Sequence, residues 1–288
     1  MRPFISILTP AYNAAQFLPA LIAAVAAQDY DRFEHVVIDD GSTDGTADLL
    51  ASCSAYPHLR WYSRPNKGQY ETQNELIREA RGDVLTFICA DDLYASTRVL
   101  SLVAEGFQES PGLDVVFGRT PRLVMAPEGA YTFDPDLPGR LARLLMRHAP
   151  CIQHCSLFVR TDLVRRRGLY FDPSYQHRGD WDWLIRMFQA TDRSRHIPEM
   201  LSYWRLHPGQ TTRTAIARGQ QETARLCTIH KINPKVAGCA RLASNAYAQI
   251  VHSCAIARHS GLLALWRKAA GSVRRRVGAR MQPIPPTA

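Results

Sequence analysis

Residues 87–92, FICADD, end an apolar run with two adjacent aspartates, Asp91 and Asp92. Neighbouring carboxylates repel each other unless a cation or a set of donors compensates them, and their hard oxygens suit Mg²⁺ or Mn²⁺ bridging a diphosphate. A simpler role also fits the pair, with Asp92 capping a following helix and Asp91 in solvent. Three further clusters carry related chemistry. In TPAYN, Tyr12 offers a flat face to a nucleobase; in DDGSTDGT, Asp39 and Asp40 can accept from a base N–H or a ribose hydroxyl; in RPNKGQ, Arg64 and Lys67 can face phosphates. Each cluster taken alone is also ordinary turn and capping material.

The elements that must position these residues alternate between two periods. Strand-like runs at FISIL, HVVID, LRWYS and DVLTFIC are separated by segments of helical spacing, which predicts an α/β fold with an open, mostly parallel sheet. Phe17, Leu18, Leu21, Ile22 and Val25 recur with a helix period, and Pro19 is tolerated in the first turn. Asp44 or Ser42 is placed to cap a helix starting near Thr46, and Gln69 to Arg81 forms another, ended by Gly82. In such a sheet ligands bind beyond the carboxyl ends of the strands, and all four polar clusters fall there.

In combination, ILTPAYNAA, VVIDDGSTDGT, RPNKGQYETQNELIREARGDVLTFICADD and HRGDWDWLIRM resemble the family 2 glycosyltransferases. The resemblance spans about the first three quarters of the chain and implies a GT-A fold, a Rossmann-like central sheet with flanking helices. It also implies inverting, hexosyl-type transfer from a nucleotide-diphosphate sugar. By that resemblance Pro10, Ala11, Tyr12, Asn13, Asp39, Asp40, Lys67, Gln69 and Asp91 would hold the nucleotide sugar. Asp91 would be the final acid of the D-x-D metal motif, and Asp180 the catalytic base. A carboxylate at a helix start is favoured by the helix dipole, which suits that role.

Two departures stand out: Cys89 replaces the first acid of D-x-D, and Gly179 replaces the usual Glu before the base. A hard cation does not choose a thiol, so either Asp91 alone among that motif's aspartates serves the Mn²⁺ or Mg²⁺, or metal dependence is weak. His207, in YWRLHPGQTT, is a candidate further ligand or else a plain loop histidine. On the acceptor side, APCIQHCSLFVRTDLVRRRGLYFDPSY resembles the family's strand, short helix and loop around the acceptor pocket. His154 and Asp182 are the candidate acceptor contacts, with a structural role for His154 as the alternative.

The expected organisation is a catalytic domain over 1–212, divided near 118 into nucleotide-sugar and acceptor parts, and a helical extension over 213–288. In that extension Leu262, Trp266, Ala269, Val273 and Val277 follow a helix period among six basic residues. That pattern fits either an amphipathic helix on an anionic membrane or a helix packed on the domain. The net charge of +9 suits an anionic partner, but no recognition-helix, zinc-finger or RNA-platform motif accompanies it, which argues against nucleic acid. Seven unpaired-looking cysteines and no apolar run of about 18 residues predict a cytoplasmic protein, free in solution or peripheral on the inner membrane face. The expected acceptor is a glycan or lipid-linked glycan. The competing expectation is an inactive donor-binding partner of another transferase.

Overall fold

The computed structural model describes residues 2–53, 55–126, 129–137, 139–207, 210 and 216–260. Strands β1 (Ile5–Ala11), β2 (Phe33–Asp39), β3 (Leu59–Ser63) and β4 (Val84–Phe87) alternate with helices α1 (Leu18–Ala26), α2 (Thr46–Ser52) and α3 (Gln69–Glu79). This is the alternation the sequence predicts. After the short β5 (Leu93–Tyr94) come α4 (Val99–Glu109), β6 (Val115–Arg119), the hairpin β7 (Arg122–Ala126) and β8 (Gly129–Phe133), and α5 (Gly139–Leu145). Next are β9 (Leu157–Arg160), α6 (Thr161–Arg166), α7 (Gly179–Ala190), β10 (Ser194–Met200) and β11 (Ser202–Leu206), then α8 (Ile216–Ile229) and α9 (Pro234–Ser260).

The main sheet has seven strands in the order β10-β6-β9-β4-β1-β2-β3. It is parallel except for β9, which runs against both β4 and β6. Parallel register sets the carboxyl ends of the first three strands side by side: Ala11 lies opposite Asp39, and Asp39 opposite Ser63. A second sheet, β5-β11-β7-β8, lies beyond that edge, and β11 returns the chain to the end of β4.

Burial follows the pleat. Ile5, Ile7, Val37 and Val84 face one cluster with Leu21, Ile22 and Val103, whereas Leu8, Val36, Ile38, Leu85 and Phe87 face another with Ile77, Trp183 and Ile185. Two local expectations are refined. The Asp44 carboxylate accepts the Thr46 N–H at 3.1 Å, whereas Ser42 turns to Asp39. Helix α3 stops at Glu79, ahead of Gly82, whose role is close approach: a Cβ there would lie 2.6 Å from the Ser6 nitrogen.

Helix α7 is the most heavily anchored element near the site. The Trp181 and Trp183 indoles donate to the carbonyls of Met146 and Leu169, at 2.8 and 2.7 Å, and Trp183 stacks on Phe171 at 4.9 Å. Helix α8 clamps it from the other side. Glu222 accepts the N–H groups of Gln176, His177 and Arg178, the residues leading into α7, while Leu226 and Cys227 join the same core as Trp183. Helix α8, in the region expected as an extension, thus packs into the same core as α7. Residues 261–288, where the basic amphipathic pattern falls, lie outside the described residues. Among the described residues no helix is long and apolar enough to cross a membrane.

Asp182 completes the clamp, accepting from His230 at 2.7 Å and from Arg186 at 2.8 Å. Burial works against its charge, but these two donors outweigh it and hold the carboxyl below its ordinary range. A depressed folded-state pKa stabilises the fold above the unfolded pKa, and that contribution is lost as pH falls through the folded value. Asp182→Asn is therefore expected to destabilise the protein by about 3 kcal/mol near pH 7. Urea titrations should show the gap to wild type narrowing as pH drops below about 4.

Candidate active site

The loops after β1 and β2 are knitted into one surface. Asn13 adopts a left-handed backbone, φ 49°, in which its side-chain oxygen accepts the Thr43 N–H at 2.9 Å and its own N–H reaches the Ser42 hydroxyl at 2.8 Å. Asparagine tolerates that conformation better than most side chains. Behind it the Ala14 N–H donates to Thr46 and the Ala15 N–H to Asp44. Pro10 and Ala11 lie within β1, and Tyr12 projects beyond it, 55% exposed.

Asp39 and Asp40 are both buried and both engaged by the protein. Asp39 accepts from the hydroxyls of Ser42 and Ser63, the latter at 2.6 Å. Asp40 accepts from the Arg64 guanidinium and from the N–H groups of Lys67 and Gly68, at 2.8 and 3.1 Å. Arg64 is turned inward: it also donates to Glu75 and Thr72, so it braces the third loop and does not face a ligand. Gly41 makes the crossing possible, because a Cβ at its φ of +78° would lie 2.9 Å from the Asn66 nitrogen. The Lys67 ammonium is half exposed beside Glu75 at 3.2 Å, and Gln69, exposed, starts α3.

The fourth loop holds the acids of FICADD. Ligand atoms of Cys89, Asp91 and Asp92 lie within 4.8 Å of one another. Burial, and then its neighbour Asp91, push the Asp92 carboxyl well above its ordinary range, although it accepts the Arg205 N–H at 3.2 Å. The Asp91 carboxylate meets the His207 imidazole at 3.0 Å. Phe17, at the start of α1, supports this corner, with the His207 ring 4.5 Å from its own and the Arg205 guanidinium 5.1 Å above it.

A second string runs to the base candidate. The His154 imidazole lies with Nε2 3.5 Å from the Cys89 sulfur and Nδ1 4.0 Å from an Asp180 oxygen. Burial holds this imidazole below its ordinary pKa, against the pull of Asp180 and Asp91, and its Nδ1 has no hydrogen-bond partner among the described residues. The other Asp180 oxygen accepts the Trp181 N–H at 2.8 Å, and the side chain is one-third exposed at the first turn of α7. The structure thus brings Asp91, His207, Cys89, His154 and Asp180 into one chain of contacts. Asp182 does not join it, since its carboxylate is buried between His230 and Arg186.

The glycine before Asp180 has a packing cause. The Tyr70 hydroxyl accepts the Gly179 N–H at 3.0 Å, and a Cβ on Gly179 would lie 2.7 Å from the Tyr70 ring. An acid cannot stand there while Tyr70 does.

Arg205 is a site residue that sequence reasoning missed. Two of its guanidinium nitrogens, Nε and one terminal nitrogen, are buried with no partner among the described residues, beside the charges of Asp92 and Asp91. Arg122, opposite Trp204 on the adjoining strand β7, lies over the Trp204 ring at 4.4 Å. The available signal was the strand-like alternation of SYWRLH, which sets Arg205 and His207 on one face. As a metal site the donor set fits in part: carboxylate oxygens and an imidazole suit Mn²⁺, whereas the Cys89 thiol, whose pKa burial raises, does not.

Residues 6–165 match the model of glycosyl transferase family 2. A PGL/p-HBAD biosynthesis glycosyltransferase of Mycobacterium tuberculosis is 31% identical over 188 residues, 65% of this chain and 70% of the relative. A glycosyltransferase of Rickettsia typhi is 26% identical over 219 residues, 74% of this chain and 67% of the relative. Among solved structures, Staphylococcus aureus TarS 1–349 in complex with UDP-GlcNAc superposes with a TM-score of 0.65 at 19% identity, over 80% of this chain and 66% of that one. The chain spans only 37% of the longer TarS structure. The mannosyltransferase PcManGT of Pyrobaculum calidifontis, in complex with GDP-Man and Mn²⁺, superposes with a TM-score of 0.64 at 18% identity, over 95% of this chain and 80% of that one. With strand-end loops converging on one edge and a family match across more than half its length, the chain is a glycosyltransferase of family 2 with the GT-A fold.

Proposed function

We propose that the chain transfers a sugar from a nucleoside-diphosphate sugar to an acceptor hydroxyl, with inversion at the anomeric carbon. The observation that carries this reading is the placement of Asp180: a partly exposed carboxylate one imidazole away from the Cys89–Asp91–Asp92 cluster. Base and leaving-group ends of the reaction then share one cleft. Tyr12 and the Asp39–Asp40 loop supply the nucleoside side, and Lys67 and Gln69 contribute from the third loop and the start of α3. The acceptor hydroxyl gives its proton to Asp180 as its oxygen attacks the anomeric carbon, and the bond to the diphosphate oxygen breaks on the opposite face.

The unpartnered Arg205 donors lie beside Asp91 and Asp92, so this side chain would meet the diphosphate there and stabilise its departure. Asp91 and His207 would hold a divalent cation, which when bound adds further positive charge to the leaving group. His154 stands beside Asp180, its Nδ1 4.0 Å from the carboxylate. The acceptor is a growing polysaccharide or a lipid-linked glycan, a reading that rests on family analogy.

Asp180→Asn is expected to lower turnover by about 10²–10⁴-fold while donor binding is retained. Near-normal turnover on the true acceptor would remove the base assignment, and donor binding with no transfer by the wild type would favour the inactive-partner alternative. In a calorimetric screen of UDP-, GDP- and dTDP-sugars with and without Mn²⁺, one donor class should bind, and Asp91→Ala should erase its metal dependence. Arg205→Gln should weaken binding of that nucleoside diphosphate about 10- to 100-fold. The corresponding nucleoside, which has no phosphates, should bind the variant and wild type equally.

A further inference from the structure

Beside α5 and the turn that follows it, the second half of α7 lines a groove of about 560 Å³. Its rim carries Arg140, Arg143 and Arg147, and Leu144, Ile185 and Phe188 line it. The arginines recur at i, i+3 and i+7, so they share one flank of α5 and the turn that follows. Beside them Leu141 and Leu144 are exposed, Leu144 at 72%, in a protein whose other α5 residues pack normally: Gly139 and Ala142 are buried. Isolated exposed leucines are ordinary, but two on one short helix, bracketed by arginines and with Leu144 lining an apolar groove, form a patch.

The charge on this patch is largely uncompensated. Arg140 has no ion-pair or hydrogen-bond partner among the described residues. Among the described residues Arg147 donates only to the His230 carbonyl, at 2.8 Å. Arg143 pairs with Asp192 at 2.7 Å, but that carboxylate is 98% exposed; the Arg143 guanidinium also lies over the Phe188 ring at 5.9 Å, and its Nε is buried without a hydrogen-bond partner among the described residues. Pairs so open to water hold little. Long basic side chains around exposed leucines suit the headgroup boundary of a bilayer, where the stems lie along apolar surface and the charged ends reach anionic groups.

The geometry points to α5 and its groove as a docking surface for an anionic membrane. This inference is independent of the sugar chemistry, but it has a consequence for it. Ile185 and Phe188 lie five and eight residues along α7 from Asp180, about 7.5 and 12 Å at 1.5 Å per residue. A membrane against α5 therefore holds the base close to the headgroup layer, where a lipid-linked acceptor would present its sugar.

The test is co-sedimentation of the full chain with vesicles of phosphatidylcholine alone and of phosphatidylcholine with 30% (about one third) phosphatidylglycerol, with no donor or acceptor present. Wild type should bind only the anionic vesicles, less tightly at high salt. Each basic residue near such a surface is worth roughly fivefold in affinity, so Arg140→Gln with Arg147→Gln should cost about 25-fold. Leu144→Ser should weaken binding while leaving nucleotide-sugar binding intact, which also shows that the fold persists. If both α5 variants bind as wild type while Arg274→Gln, Arg275→Gln and Arg276→Gln together abolish binding, the α5 proposal is overturned. It also falls if wild type ignores anionic vesicles, or if Leu144→Ser instead dissociates a dimer in sedimentation without lipid.

Discussion

Five carboxylates gathered at one sheet edge set the constraint on which this structure depends. Asp39, Asp40, Asp91, Asp92 and Asp180 all stand beyond the carboxyl ends of strands or at the start of the helix that faces them, and each must be compensated locally. Asp39 is met by hydroxyls and Asp40 by Arg64 and two backbone N–H groups. Asp91 is met by His207, and Asp92 by the backbone of Arg205. The first two are satisfied within the protein and so shape the loops. The other end of the edge is left with a raised Asp92 and orphaned Arg205 donors, and this is the place proposed for the diphosphate and the cation.

That incomplete balance explains how the chain tolerates Cys89. The residue that departs from the family's D-x-D pattern does not leave a gap, because its sulfur packs against His154, and His154 in turn approaches Asp180. At this position the side chain contacts the histidine that stands beside Asp180, the proposed base. Gly179 is a second exchange of the same kind, since the Tyr70 ring fills the space a side chain would need and its hydroxyl takes the helix-start N–H. Both departures are compensated by a neighbour far away in sequence, so neither by itself indicates a lost activity.

The helices after β11 belong to this machinery as much as to any extension. Glu222 gathers three N–H groups ahead of α7, and His230 and Arg186 hold Asp182, so the seating of the helix that carries Asp180, the proposed base, depends on residues beyond 216. The same helix, α7, underlies the arginine-rimmed groove. One rigid element therefore links the reacting end of the cleft to the surface proposed to meet a membrane.

Local pattern alone was enough for the first half of the fold. Four β runs, the helix periods between them, the polar clusters at the strand ends and the family resemblance were legible because each depends on neighbours within about ten residues. The antiparallel β9, the second sheet and the roles of individual side chains were not. Arg64 reads as a phosphate ligand and Asp182 as an acceptor contact, yet packing turns both inward onto protein partners. Arg205 and His207 meet Asp92 and Asp91 across 113 and 116 residues, and His154 meets Cys89 across 65. Periodicity specifies which face a side chain occupies. Which distant group stands opposite that face is decided only when β11 and α8 pack back onto the sheet, because the pairing energy exists only in the assembled tertiary contact.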